Sequence, residues 1–367
     1  MKPYEPNKLP LEGLDYKRLF TLVGDANAEL ARYDGLLQGI VNPSIMLSPL
    51  TNEEAVLSSK IEGTQATVDE VLEQEAGIIK EGEKFKDIQE IINYREALLS
   101  ANTYLTDRPI TLLFVRELHK ILLNSVRGQD KTPGEFRKDQ NWIGKYGCSI
   151  EQASFVPPNP LQLLDHLEAW QKYMESKDID QLLQTAVMHA QFELLHPFKD
   201  GNGRIGRILI PLFLFQKKKL SQPMFYLSSY LEANRDEYYY CLQNISKQND
   251  WNGWINFFLK AITEQAKSNN RKVKNIMRLY KDMKKKIHKI TRSQYTIHLL
   301  DAIFDRPIFE TTDLVKRTAI HKPTAMGLLR QLKKENILKE LRAGSGRRAA
   351  VLSFPELINI AEGKDIL

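Results

Sequence analysis

The chain has 367 residues, of which 42% are apolar and 27% are charged, and its formal net charge is +6. This balance excludes an intrinsically disordered protein, which would combine low apolar content with a large excess of one charge. The length allows one large core or two to three domains of ordinary size.

The cysteines and the N-terminus bear on the compartment. Cys148 and Cys241 are far apart, and neither has the neighbouring Cys or His that a zinc site or a disulfide framework needs. The first residues, "MKPYEPNKLPLEG", lack the apolar stretch of a signal peptide, and no segment reaches the roughly eighteen apolar residues of a membrane span. We therefore expect a cytoplasmic protein with no membrane partner.

Helical periodicity runs through most of the chain and predicts an all-α body. The first marked element is "TNEE", Thr51 to Glu54, whose Ser/Thr-x-x-Glu spacing predicts a capped helix start. The helix is expected to end at Gly63, because glycine suits the left-handed residue that follows a helix. The helical pattern is interrupted near residues 131–160 and again near the C-terminus.

The stretch "HPFKDGNGRIGR", residues 196–207, begins at the end of one predicted helix and runs into the start of another. Apolar residues recur at helical spacing along the first helix, at Leu183, Val187, Ala190 and Leu194. In the second helix they recur at Ile205, Ile208, Leu209, Leu212 and Phe213. Pro211 lies inside this second pattern and is expected to bend the helix. The stretch therefore contains a loop between two helices.

The glycines and arginines of this loop predict an anion site. Gly201 and Gly203 flank Asn202, so consecutive backbone amides can turn toward one point at the N-terminus of the second helix, where the dipole favours an anion. Arg204 and Arg207 extend from the first turn of that helix. Positive charge there is unfavourable unless an anion binds. A diphosphate or triphosphate would satisfy this arrangement.

Two further side chains complete a candidate reaction centre. Asp200, immediately before the glycines, can hold a Mg²⁺ ion that neutralises phosphate charge. His196, at the end of the preceding helix, is the candidate general base. Each residue alone has an ordinary structural explanation, but their combination favours a functional site. The loop is not a Walker A motif, because it lacks the GxxxxGK[ST] spacing and follows a helix instead of a strand.

Positive charge is concentrated toward the C-terminus. Residues 267–292 are strongly basic, with Asp282 as their only acid, and predict a basic linker helix. Beyond it, helical patterns cover residues 296–304, 311–318 and 321–337, and strand-like segments cover 338–341 and 349–354. The second of these helices is expected to have Thr311 or Thr312 as its N-cap. Three helices and a two-stranded hairpin predict a winged-helix domain.

The predicted winged helix has two interpretations that stay open. In one, its third helix, with Pro323 in the first turn, enters the DNA major groove while Arg342, Arg347 and Arg348 contact the backbone. In the other, the domain makes protein contacts or dimerises. Positive charge alone does not decide between them.

"HPFKDGNGRIGR" resembles the HxFx[DE]GNGRxxR signature of Fic proteins and matches it at every fixed position. The resemblance implies a Fic helical core that moves AMP from ATP to a hydroxyl of a target protein and releases pyrophosphate. It also implies that His196 deprotonates the hydroxyl and that Asp200 holds the metal on the phosphates. The remaining residues would contact the nucleotide, with the amides of Gly201, Asn202 and Gly203 at the α-phosphate and with Arg204 and Arg207 at the outer phosphates.

The stretch "SSKIEGTQAT" is similar to the [ST]xxxE[GN] inhibitory motif that some Fic proteins carry N-terminal to the core. Its matching residues are Ser58, Glu62 and Gly63. Glu62 is predicted near a helix C-terminus, where the dipole disfavours a carboxylate and a cationic partner would help. The resemblance implies that Glu62 pairs with Arg207 and blocks productive placement of the γ-phosphate.

Two more stretches extend the resemblance. "GEFRKDQNWIG" is similar to the segment that leads into the β-hairpin flap of Fic proteins, here residues 134–156, on which a target segment would dock by main-chain pairing. The resemblance places Asn141, Trp142, Ile143 and Gly144 near the nucleotide, although the family commonly has branched aliphatic residues at the first two positions. "RDEYYYCLQ" resembles the tyrosine pair of the adenine pocket and places Tyr238 and Tyr239 there.

The predicted domains are an N-terminal helical region with the inhibitory helix (residues 1–76), a Fic core (77–266), the basic linker helix (267–292) and a winged helix (293–367). We expect an auto-inhibited protein adenylyltransferase that uses ATP and Mg²⁺. Its acceptor would be a Ser, Thr or Tyr hydroxyl of a target protein or of the chain itself. The alternatives are removal of AMP at the same site and a DNA-binding regulator whose core senses nucleotide. A homo-oligomer and a DNA partner stay open.

Overall fold

The computed structural model describes residues 2–78, 81–105, 108–124, 129–145, 147–346 and 348–363. Tyr146 of the predicted flap, Arg347 of the predicted DNA contact and residues 364–367 of the predicted winged helix lie outside these ranges. The chain divides into two compact units. Unit 1 comprises Met1–Asp34, Leu57–Thr64 and Ile92–Lys267, and unit 2 comprises Gly35–Val56, Gln65–Ile91 and Ser268–Leu367. Residues of the predicted N-terminal region occur in both units, and the predicted domain boundaries stay a prediction.

Helices dominate the described residues. The first eight are α1 Tyr16–Gln38, α2 Pro43–Met46, α3 Ser48–Ile61, α4 Val68–Glu75, α5 Gly82–Tyr104, α6 Leu112–Leu122, α7 Leu163–Glu175 and α8 Gln181–Leu195. The next eight are α9 Asn202–Gln216, α10 Ser228–Ala233, α11 Arg235–Gln248, α12 Trp251–Thr291, α13 Thr296–Asp305, α14 Thr311–Thr318, α15 Lys322–Lys334 and α16 Pro355–Glu362. Short 3-10 helices cover Gln129–Lys131, Ile150–Gln152 and Pro160–Gln162. The strands are β1 Ile308–Glu310, β2 Lys339–Arg342 and β3 Val351–Ser353. None of the described helices has both the length and the apolar character needed to cross a membrane.

Helices α8 and α9 form the centre of unit 1. The predicted helix that runs up to His196 is confirmed: α8 begins after the N-cap Asp180, whose carboxylate accepts from the amides of Leu182 and Leu183, and ends at Leu195. The periodicity predicts one buried face, but α8 is buried on nearly all sides, with thirteen of its fifteen residues buried. Helix α9 contains Pro211, as predicted, and is similarly buried.

The start of α3 differs from the prediction. The helix begins at Ser48, so Thr51 lies inside it and is buried instead of capping it. The same Ser/Thr-x-x-Glu spacing is used farther along, where Glu70 Oε2 accepts from the backbone amide of Thr67 at the start of α4. The helix ends at Ile61, and Gly63 has a φ of +108° that favours glycine.

The described residues of the flap, 134–145 and 147–156, have less β-structure than a hairpin. In its described residues the pairing is a single antiparallel bridge between Ile143 and Phe155. The Ile143 amide donates to Phe155 O at 2.9 Å, and the Ser154 amide donates to Ile143 O at 2.8 Å. The 3-10 turn Ile150–Gln152 interrupts the returning segment. A helical turn of this kind interrupts a strand ladder, so in the described part of the flap the predicted hairpin is reduced to one bridge.

The C-terminal part of unit 2 contains a three-stranded antiparallel sheet with the order β1, β3, β2. The predicted third helix is confirmed as α15, with Pro323 in its first turn and with four buried apolar residues at helical spacing, Ala325, Leu328, Leu329 and Leu332. The prediction that Thr311 or Thr312 caps the preceding helix is wrong, because the N-cap of α14 is Glu310. The winged-helix assignment itself stays a prediction.

The basic run 267–292 lies in the second half of α12, a helix of 41 residues. Within unit 2 this half has an apolar stripe at helical spacing, with buried Val273, Ile276, Leu279, Met283 and Ile287. Lys272 pairs with Glu53, and both side chains are mostly buried. Much of the predicted linker helix is therefore packed, because its lysines alternate with an apolar stripe.

Candidate functional site

The loop between α8 and α9 opens into a cavity of about 880 Å³ in unit 1. Nine of the site residues expected from the sequence line it, namely Glu62, Trp142, Ile143, Gly144, His196, Asp200, Gly203, Arg207 and Tyr239. Seven others are not among the lining residues, namely Ser58, Gly63, Asn141, Gly201, Asn202, Arg204 and Tyr238. The cavity thus brings together residues that are up to 177 positions apart in the sequence, from Glu62 to Tyr239.

His196 is the C-cap of α8 and has a φ of +45°, in the left-handed region that non-glycine residues rarely adopt. Its Nδ1 lies 3.4 Å from the carbonyl oxygen of Glu193, which can only accept, so Nδ1 carries the proton of the neutral ring. Burial lowers the pKa of His196 to about 4. At neutral pH the ring is therefore uncharged, and Nε2 keeps the lone pair that a general base needs.

The anion loop, residues 200–204, is shaped by Asn202. This buried side chain accepts from the Phe198 amide at 2.8 Å and donates to the Phe198 carbonyl at 2.9 Å, which closes the turn before α9. Gly201 has a φ of +77°, and a Cβ there would lie 3.1 Å from Leu122 Cδ2. Asn202 therefore holds the loop in place, and Gly201 lets it pass close to α6.

Asp200 is the candidate metal ligand. Its Oδ1 accepts from the Gly201 amide at 2.5 Å and from Arg204 Nη2 at 3.2 Å, while 45% of the side chain is exposed. A single carboxylate beside a phosphate site suits Mg²⁺, which is commonly bound by one or two carboxylates together with substrate phosphates. The described residues contain no group of three or more His, Cys, Asp or Glu side chains arranged around a metal. The donor set thus fits a metal that arrives with a nucleotide.

Glu62 and Arg207 form an ion pair at the edge of the cavity. Arg207 Nη2 donates to Glu62 Oε1 at 2.7 Å, and Ser58 takes two more bonds, at its Oγ from Nε (2.8 Å) and at its carbonyl from Nη2 (2.9 Å). Burial raises the pKa of Glu62, but the charge and hydrogen bond of Arg207 outweigh burial and the net pKa is lowered. Only 1% of the Arg207 side chain is exposed, against 35% for Glu62. The arginine is held in place, and the carboxylate faces the cavity.

Glu193 is a cavity residue that the sequence patterns did not reveal. Its Oε1 is buried and makes no hydrogen bond with the described residues, and it lies so close to Gly206 that a Cβ on that glycine would clash with it. Burial raises the pKa of Glu193 to about 8, although Arg207 opposes the shift. The sequence signal was a lone glutamate in an apolar helix, three residues before His196. At neutral pH this carboxyl is mostly protonated.

The residues predicted for the adenine pocket and the flap do not all line the cavity. Tyr239 lines the cavity, but Tyr238 is buried, with its hydroxyl 3.0 Å from His189 Nε2. Asn141 donates to the Phe198 carbonyl at 3.2 Å and supports the anion loop instead of lining the cavity. Trp142 lines it with 43% of its surface exposed. Neighbours in the sequence therefore have different surroundings.

Comparison with known proteins identifies related chains. Residues 20–103 match the Fic/DOC family N-terminal domain, and residues 109–214 match the Fic/DOC family domain. A probable protein adenylyltransferase of Aquifex aeolicus is 28% identical over 199 residues, which are 52% of this chain and 56% of the relative. The protein adenylyltransferase Fic of Aedes aegypti is 28% identical over 141 residues, which are 37% of this chain and 26% of the relative. The match thus spans about half or less of these curated relatives.

A crystal structure of a Fic family protein from Desulfovibrio desulfuricans superposes with a TM-score of 0.58. The match covers 96% of this chain and 98% of that chain, at 18% sequence identity. At this identity the similarity shows a shared fold.

Proposed function

The chain belongs to the Fic/DOC family, and from that premise we propose that it is a protein adenylyltransferase that moves AMP from ATP to a hydroxyl of a target protein or of itself. The observation that carries the proposal is the meeting of His196, Asp200, Gly203 and Arg207 at one cavity. A base, a carboxylate suited to Mg²⁺, a backbone amide at a helix N-terminus and a cation are the groups that phosphoryl chemistry requires.

The transfer proceeds by in-line displacement at the α-phosphorus. Nε2 of His196 takes the proton from the target hydroxyl, the hydroxyl oxygen forms a bond to the α-phosphorus, and the bond from that phosphorus to the bridging oxygen breaks. Pyrophosphate leaves with the electron pair of that bond. Asp200 is the residue that would hold Mg²⁺, which supplies neutralisation of phosphate charge. The amide of Gly203 and the Arg207 guanidinium bind the negative oxygens.

Glu62 is the residue that restrains this reaction. While Glu62 Oε1 accepts from Arg207 at 2.7 Å, the guanidinium has its strongest hydrogen bond to the protein and is not available to the γ-phosphate. The triphosphate then binds without its outer anchor, and its α-phosphorus is not aligned with the incoming hydroxyl. The target segment docks by main-chain pairing on the flap, whose residues Trp142, Ile143 and Gly144 border the same cavity.

Removal of AMP from a modified protein is a second candidate function, favoured by one observation. The Glu62 carboxylate lines the cavity that also contains His196, so it can orient a water molecule at the phosphorus. The DNA-binding alternative has less support, because Arg342 donates within unit 2 to the Gly77 carbonyl at 2.6 Å and to Glu310 at 3.3 Å. An arginine with these partners is less available for a DNA phosphate.

The test is transfer of labelled AMP. The protein is incubated with ATP labelled at the α-phosphate and with cell lysate, and modified peptides are identified by mass spectrometry. We expect AMP on a hydroxyl residue, with stronger labelling by Glu62→Gly than by the unmodified chain. His196→Ala should lose about 100- to 10,000-fold in rate and keep ATP binding, because the base acts on the hydroxyl.

Two outcomes decide against the proposal. If Glu62→Gly binds ATP but transfers no AMP to any protein, the adenylyltransferase assignment is wrong. If the unmodified chain instead releases AMP from a modified protein and Glu62→Gly does not, the native reaction is removal.

A further inference from the structure

A buried histidine of α6 fixes the first residue of the flap. His119 has no exposed surface, and its ring stacks on Phe198 with centroids 3.7 Å apart and an interplanar angle of 7°. Its Nδ1 accepts from the Gly134 amide at 2.9 Å, and its Nε2 lies 3.0 Å from the Asp200 carbonyl oxygen. An amide N–H can only donate and a carbonyl can only accept, so the ring is neutral with its proton on Nε2. One imidazole therefore joins the flap to the anion loop.

A buried arginine fixes the other end of the flap. Arg137 Nε donates to the His196 carbonyl at 2.9 Å, and its Nη2 donates at 2.6 Å to the carbonyl of Pro158, two residues beyond the flap. The backbone amide of Arg137 donates to the Pro197 carbonyl at 2.8 Å. Burial lowers the pKa of Arg137 to about 10, so the side chain stays charged at neutral pH. Carbonyls at the C-terminal end of α8 carry the negative partial charge that suits this cation.

We propose that His119 and Arg137 are positioning residues that fasten both ends of the flap to the segment carrying His196 and Asp200. The proposal rests on the proposed transfer function and adds that target docking and phosphate chemistry share one rigid frame. Both residues act on main-chain atoms, so the reactive side chains keep their own contacts. Transfer is sensitive to such a frame, because a displacement of about 1 Å between reacting groups can cost about 100-fold in rate.

The backbone at His196 explains why a frame is needed. Its left-handed conformation, with a φ of +45°, is unfavourable for a residue with a β-carbon and persists only when the surroundings hold it. The bond from Arg137 to the His196 carbonyl supplies one such restraint, and the His119 bond to the Asp200 carbonyl supplies another four residues later. Losing either restraint would let the base or the anion loop move relative to the flap.

The two bonds of His119 can be removed separately. In His119→Asn the side-chain amide group occupies the position of Nδ1. Its oxygen can accept from the Gly134 amide, but the side chain is too short to reach the Asp200 carbonyl. In His119→Gln the longer side chain places its amide nitrogen at the position of Nε2, where it can donate to the Asp200 carbonyl, but the Gly134 amide loses its acceptor. His119→Phe keeps the stack on Phe198 and loses both bonds. Each variant is made in the Glu62→Gly protein, where we expect the fastest transfer.

We expect the kinetics to divide according to the bond removed. His119→Gln should raise the KM for the target about 10-fold with kcat nearly unchanged, since only the flap is released. His119→Asn should lower kcat about 10- to 100-fold with the target KM nearly unchanged, since only the anion loop is released. Arg137→Lys keeps the charge but not the forked set of donors, and should lower kcat. Melting temperatures and ATP binding are measured for every variant.

A second readout does not depend on catalysis. Labelling with ¹⁵N-glycine gives amide signals from at most 19 residues, and exchange of the Gly134 amide with solvent should accelerate in His119→Gln but not in His119→Asn. If the Gly134 amide exchanges faster only in His119→Gln but the Glu62→Gly reference transfers no AMP, the proposed function is wrong and the positioning of the flap by His119 still holds. If the reference is active and all His119 variants lose kcat in proportion to lost folded protein, His119 is purely structural and the inference is overturned. Should His119→Phe not fold, the Asn and Gln variants still separate the two bonds.

Discussion

Replacing Glu62 by glycine removes the carboxylate that accepts from Arg207 Nη2 at 2.7 Å. A hydrogen bond between charged groups contributes about 1.5–3 kcal/mol. The lower part of this range applies, because 35% of the Glu62 side chain is exposed to solvent and Ser58 still offers two acceptors, at 2.8 and 2.9 Å. Without Glu62, binding of the Arg207 guanidinium to the γ-phosphate becomes more favourable by about 1.5–2 kcal/mol. At tenfold per 1.4 kcal/mol, this corresponds to a rate increase of about 10- to 30-fold.

The assay is the initial rate of AMP transfer to a fixed target or to the chain itself, for the unmodified protein, Glu62→Gly and Glu62→Gln. The Gln variant keeps the shape and a weaker acceptor, so its rate should lie between the other two. The melting temperature of Glu62→Gly should fall by no more than about 4 °C, because Arg207 keeps its bonds to Ser58. A Glu62→Gly rate equal to or below that of the unmodified chain, with ATP binding preserved, would refute the inhibitory role and favour removal of AMP.

Three other outcomes are expected. Arg207→Ala should stay inactive even when combined with Glu62→Gly, since inhibition and the γ-phosphate contact are lost together; rapid transfer by the double variant would exclude Arg207 from phosphate binding. Because burial lowers the pKa of His119 and His196 to about 4, both histidines bind protons in the unfolded chain before they do so in the folded one. These two residues outweigh the opposite contribution of the single Glu193, so the melting temperature should fall as the pH drops from 6.5 to 4, and a flat profile would contradict this. The folded-state pKa of Glu193 is raised to about 8, so its contribution to stability is lost as the pH rises from about 4.5 to 8. The melting temperature of Glu193→Gln should therefore exceed that of the unmodified chain by an amount that grows with pH over this window.

Local patterns in the sequence were sufficient to select the candidate residues between His196 and Arg207, four of which line the cavity. The run from His196 to Arg207 combines a helix end, a glycine turn and a helix start within twelve residues, and each of these depends on neighbours along the chain. The two flanking helices follow from periodicity for the same reason. Cap positions did not follow from spacing alone, because Thr51 and Thr67 carry the same Ser/Thr-x-x-Glu spacing, yet Thr51 lies inside α3 and Thr67 precedes α4.

Contacts between distant parts of the chain decided the rest. Tyr238 and Tyr239 are adjacent, yet packing against His189 buries the first and leaves the second at the cavity. The protonation of Glu193 depends on its burial beside Gly206, which periodicity does not describe.

His119 shows the same limit most clearly. It lies 81 positions before Asp200, and in the sequence it is one histidine in an apolar helix. Its hydrogen bonds exist because folding places α6 beside both the flap and the anion loop. The sequence by itself determined which groups could perform the chemistry, since helix ends and turns are local. The tertiary structure decided which of those groups face the cavity, because burial and long-range hydrogen bonds depend on chain segments that local spacing does not relate.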